Sequence, residues 1–169
     1  FDTVLGRALR RFGVAATLER PRIAYRETLR AKAEGQGKHK KQTGGRGQFG
    51  DCWIRLKPLK RGEGYRFEDS IVGGVIPNKY IPAVDKGIQE SAARGIITGH
   101  QVVDFEAECY FGSYQDVDSR EMTFKMAGIL AFRTVAPECK PVLLEPLLDV
   151  ETETTEDCLG DVMGDLSAR

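Results

Sequence analysis

Two stretches of this chain alternate between apolar and polar residues, the first with one exception at Trp53. They are Cys52-Trp53-Ile54-Arg55-Leu56-Lys57 and Val103-Asp104-Phe105-Glu106-Ala107-Glu108-Cys109. A period of two is the mark of a half-buried strand, because successive side chains leave opposite faces. In the first stretch Cys52, Ile54 and Leu56 turn inward, while Arg55 and Lys57 turn out. Trp53 shares the outer face, where so large a ring needs a neighbour or a ligand. In the second stretch Asp104, Glu106 and Glu108 line the outer side, and they read as a solvated face rather than as paired catalytic acids. A sheet with one apolar face must be covered, and the rest of the pattern supplies helices.

Residues 2–12 read as a helix, with Val4, Leu5, Leu9 and Phe12 on one stripe and Gly13 as its stop. Residues 14–33 are rich in β-branched and alternating residues and are expected to be extended, broken at Pro21. Residues 34–50 are rich in Gly and Lys, which predicts a loop or exposed hairpin. Tyr65 to Ile71 reads as a strand ended by Gly73-Gly74. Asn78 is expected to cap a helix to about Arg94, with Pro82 in its first turn, Tyr80, Ile81, Val84 and Ile88 buried, and Gly95 as the stop. Phe111-Gly112-Ser113-Tyr114 reads as a turn. Asp118 and Glu121 have capping-box spacing for a helix to about Ala136, ended by Pro137, with Met122, Met126, Ile129 and Leu130 as its core stripe. A strand over 142–150 and a last helix, capped by Thr154 and Asp157, follow. The class is α+β: helices on one face of a mostly antiparallel sheet.

The chain has 169 residues, with 25 Lys+Arg against 25 Asp+Glu. This neutrality conceals a dipole along the sequence. Residues 22–61 hold twelve basic and three acidic residues, a local charge of +9, whereas residues 142–169 hold eight acids against Arg169 alone. A local +9 suits a phosphate-contacting surface. No run of 18 apolar residues exists, so no membrane span is expected. The start lacks both a Met and the pattern of a signal peptide, which suggests a chain that begins inside a longer protein or has been processed. Cys52, Cys109, Cys139 and Cys158 are widely spaced and form no C-x-x-C, consistent with reduced thiols in a cytosol.

Gly45-Arg46-Gly47-Gln48-Phe49-Gly50 has the G-x-G-x-x-G spelling. A dinucleotide site requires a strand before it and a helix after it, and here a basic segment precedes and a strand follows. The better reading is a glycine loop at a hairpin tip, whose backbone approaches a ligand closely while Arg46 and Gln48 contact phosphates, sugars or base edges. The loop Gly112 to Asp118 is polar with one aromatic: Tyr114 can stack on a base and Gln115 can donate or accept. His39 and His100 lie far apart with no metal-ligand spacing, and read as surface residues. No phosphate loop, no G-x-S-x-G and no H-E-x-x-H is present, so neither a catalytic residue nor a metal or cofactor site is expected.

Several words of the sequence, taken in order, resemble bacterial translation elongation factor G. They are Gln42-Thr43-Gly44-Gly45-Arg46-Gly47-Gln48-Phe49-Gly50, Ile71-Val72-Gly73-Gly74-Val75-Ile76-Pro77, Tyr80-Ile81-Pro82-Ala83-Val84, Gly112-Ser113-Tyr114 with Asp116-Val117-Asp118-Ser119, Leu144-Glu145-Pro146, and Gly160-Asp161-Val162 with Gly164-Asp165-Leu166. The resemblance implies that residues 1–22 are the tail of the third domain, 23–143 the complete fourth domain and 144–169 the start of the fifth. The fold implied is like the second domain of ribosomal protein S5, with a left-handed β-α-β crossover, flanked by partial ferredoxin-like pieces. Strand 103–110, helix 118–136 and strand 142–150 are candidates for part of that crossover.

In that family the fourth domain is an arm that mimics a tRNA and enters the decoding site of the small ribosomal subunit, promoting movement of tRNA and mRNA. By resemblance, Gly44, Gly45, Arg46, Gly47 and Gln48 form one tip loop, and Ser113, Tyr114, Gln115 and Asp116 the other. Lys38, Lys40 and Lys41 would face ribosomal RNA. The partners implied are small-subunit rRNA at the A-site decoding region and the tRNA–mRNA duplex, met by a cytoplasmic monomer. GTP and Mg would belong to a domain of the parent outside this chain. Many family members carry His where Gln115 stands, and Gln cannot protonate. That departure suggests a divergent copy or paralogue, and the alternative function is subunit separation, recycling or ribosome protection.

Overall fold

A computed structural model describes all residues except 1, 15, 16, 18, 20, 21, 43–46 and 169. The elements in order are α1 (Asp2–Phe12), β1 (Arg26–Thr28), β2 (Ala33–Lys41), β3 (Gln48–Pro58), β4 (Tyr65–Asp69), α2 (Ile81–Ala93), β5 (Val102–Val103), β6 (Phe105–Ser113), α3 (Glu121–Val135), β7 (Val142–Leu144) and α4 (Leu159–Ala168). The strands form two sheets. One has the order β2-β3-β6-β4, antiparallel except for the parallel β4–β6 pair. The other has the order β5-β1-β7. The α+β class read from the sequence is the class observed.

The expected strand at 52–57 is the centre of β3, and Cys52, Ile54 and Leu56 are fully buried. The Gly- and Lys-rich stretch takes the hairpin form of the two expected, and its arms are regular strands. Residues 33–41 and 48–58 are paired strands from Ala33↔Leu56 to Lys41↔Gln48. Their glycines serve packing. A Cβ on Gly37 would run into the Ala127 carbonyl and the Ala131 amide, and one on Gly50 into the Thr123 carbonyl. α3 therefore lies almost backbone to backbone on β2 and β3. That contact also moves the buried face of α3. Phe124, Ala127, Ala131, Phe132 and Val135 fill the core, whereas Met122, expected inside, is 65% exposed. Small residues suit a close helix–sheet approach; of the expected stripe Ile129 is buried, Met126 and Leu130 are half-buried and Met122 is turned out.

The stretch at 102–113 is two strands, one in each sheet, because Asp104 takes a left-handed conformation (φ 58°). Its carboxylate accepts N–H bonds from Gly62 (3.0 Å) and Gly64 (2.9 Å) and pairs with Arg61 at 2.9 Å. Asp tolerates this region when its side chain is held locally. β6 then runs on through Ser113, so 111–113 is strand and not turn. Since β6 and β7 belong to different sheets, the β6-α3-β7 segment is not a crossover within one sheet. The parallel pair of the large sheet is β4 and β6, with α2 between them in the chain.

Several boundaries shift. Asn78 opens a short 3-10 turn (Asn78–Tyr80), in which the Tyr80 N–H donates to the Pro77 carbonyl at 2.8 Å, and makes no side-chain cap. Ile81, Val84 and Ile88 are buried as expected. α3 starts from Arg120, whose N–H donates to Thr123 Oγ1 (3.0 Å), rather than from an Asp118–Glu121 box. Pro137 sits inside a 3-10 turn, Ala136–Cys139. The strand expected over 142–150 is confined to Val142–Leu144, and the last helix follows a 3-10 turn at Glu156–Cys158 that contains Asp157 and whose cap position is Thr155 rather than Thr154, with no side-chain cap bond. The expected break at Pro21 lies outside the described residues.

Candidate nucleic-acid interface

The hairpin of β2 and β3 and the loop that follows β6 end at the same place. The register requires it: Ser113 stands opposite Asp51 and Gly112 opposite Cys52, so the end of β6 is level with the start of β3. Asp51 joins three strands there. Its carboxylate accepts Ser113 Oγ and Gln36 Nε2, each at 2.7 Å.

Ser119 then ties the two loops together. Buried at 4% exposure, it donates its hydroxyl to the Phe49 carbonyl at 2.9 Å and accepts the Gln115 N–H at 2.9 Å. The Phe49 N–H donates to the Asp118 carbonyl at 2.9 Å. The Tyr80 hydroxyl donates to the Ser119 carbonyl at 3.1 Å, which anchors the loop to the helical layer. A shallow cleft of about 140 Å³ lies between the loops, lined among others by Lys40, Lys41, Gly47, Gln48, Gln115 and Asp118.

Of the residues singled out in the sequence, Gly47, Gln48, Tyr114, Gln115 and Asp116 are brought together at this end. Tyr114, Gln115 and Asp116 are exposed, and Gln48 is exposed with its Oε1 3.0 Å from His39 Nε2. Ser113 belongs to the strand, and its hydroxyl is spent on Asp51. Gly44, Gly45 and Arg46 lie outside the described residues. Lys38 and Lys40 leave β2 on the side of the sheet away from α3, and Lys38 Nζ is 5.8 Å from the Phe49 ring centroid. Lys41, at the end of β2, is exposed.

Sequence reasoning missed Asp51 and Ser119. Asp51 extends the outward parity of the 52–57 stretch by one step, so its side of the sheet was legible. Its two partners were not, since both come from other strands. His39, read as a surface residue, is half-buried and engages Gln48.

The acidic row formed by Asp104 and the outer face of β6 overturns its expected solvated state. Asp104, Glu106 and Glu108 are 3%, 8% and 9% exposed. Basic side chains from the neighbouring strands cover them: Lys57 reaches Glu106 (3.1 Å) and Glu108 (2.9 Å), and Arg55 bridges Glu108 (3.1 Å) to Glu34 (2.8 Å). The Lys57 ammonium holds the Glu108 carboxyl below its usual range despite burial. Arg55, Lys57 and Arg61 are thus consumed internally. Lys38, Lys40 and Lys41 pair with no acid among the described residues and remain available to an anionic partner.

Among the described residues no group of His, Cys, Asp and Glu could hold a metal, and no helix is long and apolar enough to cross a membrane. The free thiols of Cys52, Cys109 and Cys139 are buried, and desolvation pushes Cys139 up to about 11 and Cys109 to about 12.

Residues 21–140 match the family model of elongation factor G, domain IV. The chain is also similar to a protein of Thermus thermophilus known from its crystal structure: the two are 44% identical, with a TM-score of 0.82 over 99% of this chain. The chain spans 25% of the length of that protein. A family match over well above half of the residues, on a fold that agrees along nearly the whole chain, makes this chain a member of the elongation factor G family.

Proposed function

We propose that this chain carries the ribosome-binding arm of a translational GTPase and promotes tRNA–mRNA movement by inserting its two tied loops into the small-subunit decoding site. The observation that carries the reading is the Ser119 bridge, which holds the loop after β6 against the β2–β3 hairpin as one tip. A tip of glycine backbone, Gln48, Tyr114 and Gln115 suits a nucleic-acid duplex read by shape, with backbone contacts and few charges. Lys38, Lys40 and Lys41 then contact ribosomal RNA phosphates beside it. In this reading residues 1–22 and 144–169 belong to the neighbouring third and fifth domains. GTP and Mg are bound by another domain of the parent, which acts as a monomer in the cytoplasm, and these residues perform no catalysis themselves.

The test uses the full-length parent on purified ribosomes. Arg46→Ala or Gln115→Ala should slow tRNA–mRNA movement and leave ribosome-stimulated GTP hydrolysis nearly intact. Equal loss of both counts against the reading.

A second reading rests on Gln115 standing where many relatives have His. It makes the parent a paralogue that separates subunits, recycles or protects ribosomes. A full-length protein that splits ribosomes into subunits but does not translocate would select it.

A further inference from the structure

The outer face of the large sheet, away from α3, is divided into two halves of different chemistry. Away from the tip it is the ladder of Glu34, Arg55, Glu108, Lys57, Glu106 and Arg66, which crosses the sheet from β2 to β4 and in which the charges cancel. Toward the tip it turns aromatic and cationic. Trp53 on β3 stands directly opposite Phe111 on β6, and Gln36 is its partner on β2. Phe111 is 50% exposed and Trp53 is half-buried. A bulge produces this pairing. Phe111 faces Trp53 while Cys109 faces Ile54, so Tyr110 has no partner across the ladder. Successive aromatics can then share one side. The Tyr110 ring is already covered by the Arg55 guanidinium, 4.7 Å from its centroid. Among the described residues no cation lies over the Trp53 or Phe111 ring, and Lys38 and Lys40, further along β2 from Gln36 on the same face, are exposed without an acidic partner.

We propose that this face is a second RNA-binding surface, separate from the tip loops, on which Trp53 and Phe111 stack an unpaired nucleotide while Lys38 and Lys40 contact the flanking phosphates. The proposal rests on the reading of the chain as a ribosome-binding arm and adds to it. Charge complementarity selects the partner. An exposed ring and a half-exposed one, on the same face as lysines without acidic partners, suit a polyanion whose bases offer flat faces, and an unstacked base is available in single-stranded RNA but not inside a duplex. The neighbouring ion-pair ladder offers no net charge, so the phosphates are directed to the Lys38 side.

Trp53 is the only tryptophan of the chain, so its emission reports the site directly. The 169-residue chain is titrated with a labelled single-stranded RNA of about ten nucleotides, the span of one such surface, and with the matching duplex. Anisotropy and Trp53 emission are followed together. Single-stranded RNA should quench Trp53, and the duplex should quench it less. Phe111→Ala should weaken binding about tenfold, Phe111→Tyr should keep it, and Lys38→Gln with Lys40→Gln should weaken it and flatten its salt dependence.

Four outcomes overturn the proposal: no binding, binding with Trp53 emission unchanged, equal affinity in Phe111→Ala, or quenching by small-subunit proteins freed of RNA and not by the oligonucleotide. The ribosome assay of the Gln115→Ala parent is unaffected by any of these, so the tip reading and this one fail separately.

Discussion

The Asp118 carboxylate occupies the space that a side chain at Gly47 would need: its Oδ2 is 2.6 Å from where a Cβ would stand. Asp118 therefore marks how closely the loop after β6 approaches the hairpin, and glycine at 47 is what permits it.

Gly47→Ala should displace the Asp118 side chain and part the loops, while global stability falls by about 1 kcal/mol, since a surface carboxylate can swing away. Adding Asp118→Ala should recover most of that loss, and a double-mutant cycle from urea unfolding measures the coupling. Strictly additive effects would show that the two residues do not touch. Gly37→Ala should cost more, about 3 kcal/mol, because the Cβ meets the α3 backbone and no side chain can yield.

Ser119→Ala removes the donor to the Phe49 carbonyl and the acceptor of the Gln115 N–H in one step. A buried polar group left without its partner costs about 1–3 kcal/mol. The variant should unfold at lower urea, and the Gln115 amide should exchange its proton faster. Unchanged exchange at Gln115 would mean that the bridge does not hold the loop.

Glu27 is fully buried, and its carboxylate gathers the N–H groups of Ile96, Ile97, Thr98 and His100, together with the Thr98 hydroxyl. Burial pushes its pKa up, but the four N–H donors outweigh that, and the net shift is below the usual 4.5. A carboxyl depressed on folding binds its proton more tightly in the unfolded chain. Its contribution is therefore complete above pH 4.5 and is lost as the pH falls through the lower folded value. Asp104 and Glu108 are shifted in the same direction. Urea midpoints should drop on acidification below that range. Glu27→Gln, which replaces one acceptor oxygen by a donor, should lose about 1–3 kcal/mol at neutral pH and show a shallower acid decline. A wild-type midpoint independent of pH between 3 and 5, roughly one unit either side of the ordinary carboxylate value, would rule this out.

Much of the scaffold was legible because its cause is local. The alternation at Cys52–Lys57 records a strand between core and surface, and Ile81, Val84 and Ile88 record a helix face. The glycine-rich loop could be assigned to a hairpin tip because a strand follows it. The buried face of α3 was less legible, since Ala127, Gly128 and Ala131 carry little hydrophobic signal and the methionines carry more. The tip residues could be named from resemblance, but the bridge that unites them could not, since Phe49 and Ser119 are 70 residues apart.

By itself the sequence determined the α+β class, the two alternating strands, the basic segment and the acidic end, because hydrophobic period and charge are written residue by residue. Only the tertiary structure decided what its glycines and acids are for. A missing Cβ at Gly37 or Gly47 means a loop to a local reading, and means close approach once α3 or Asp118 stands against it. An outward Glu106 or Glu108 means solvent until Lys57 and Arg55 from the adjacent strand close over it. Both depend on partners far along the chain, and no pattern with a period of two or of 3.6 residues encodes those.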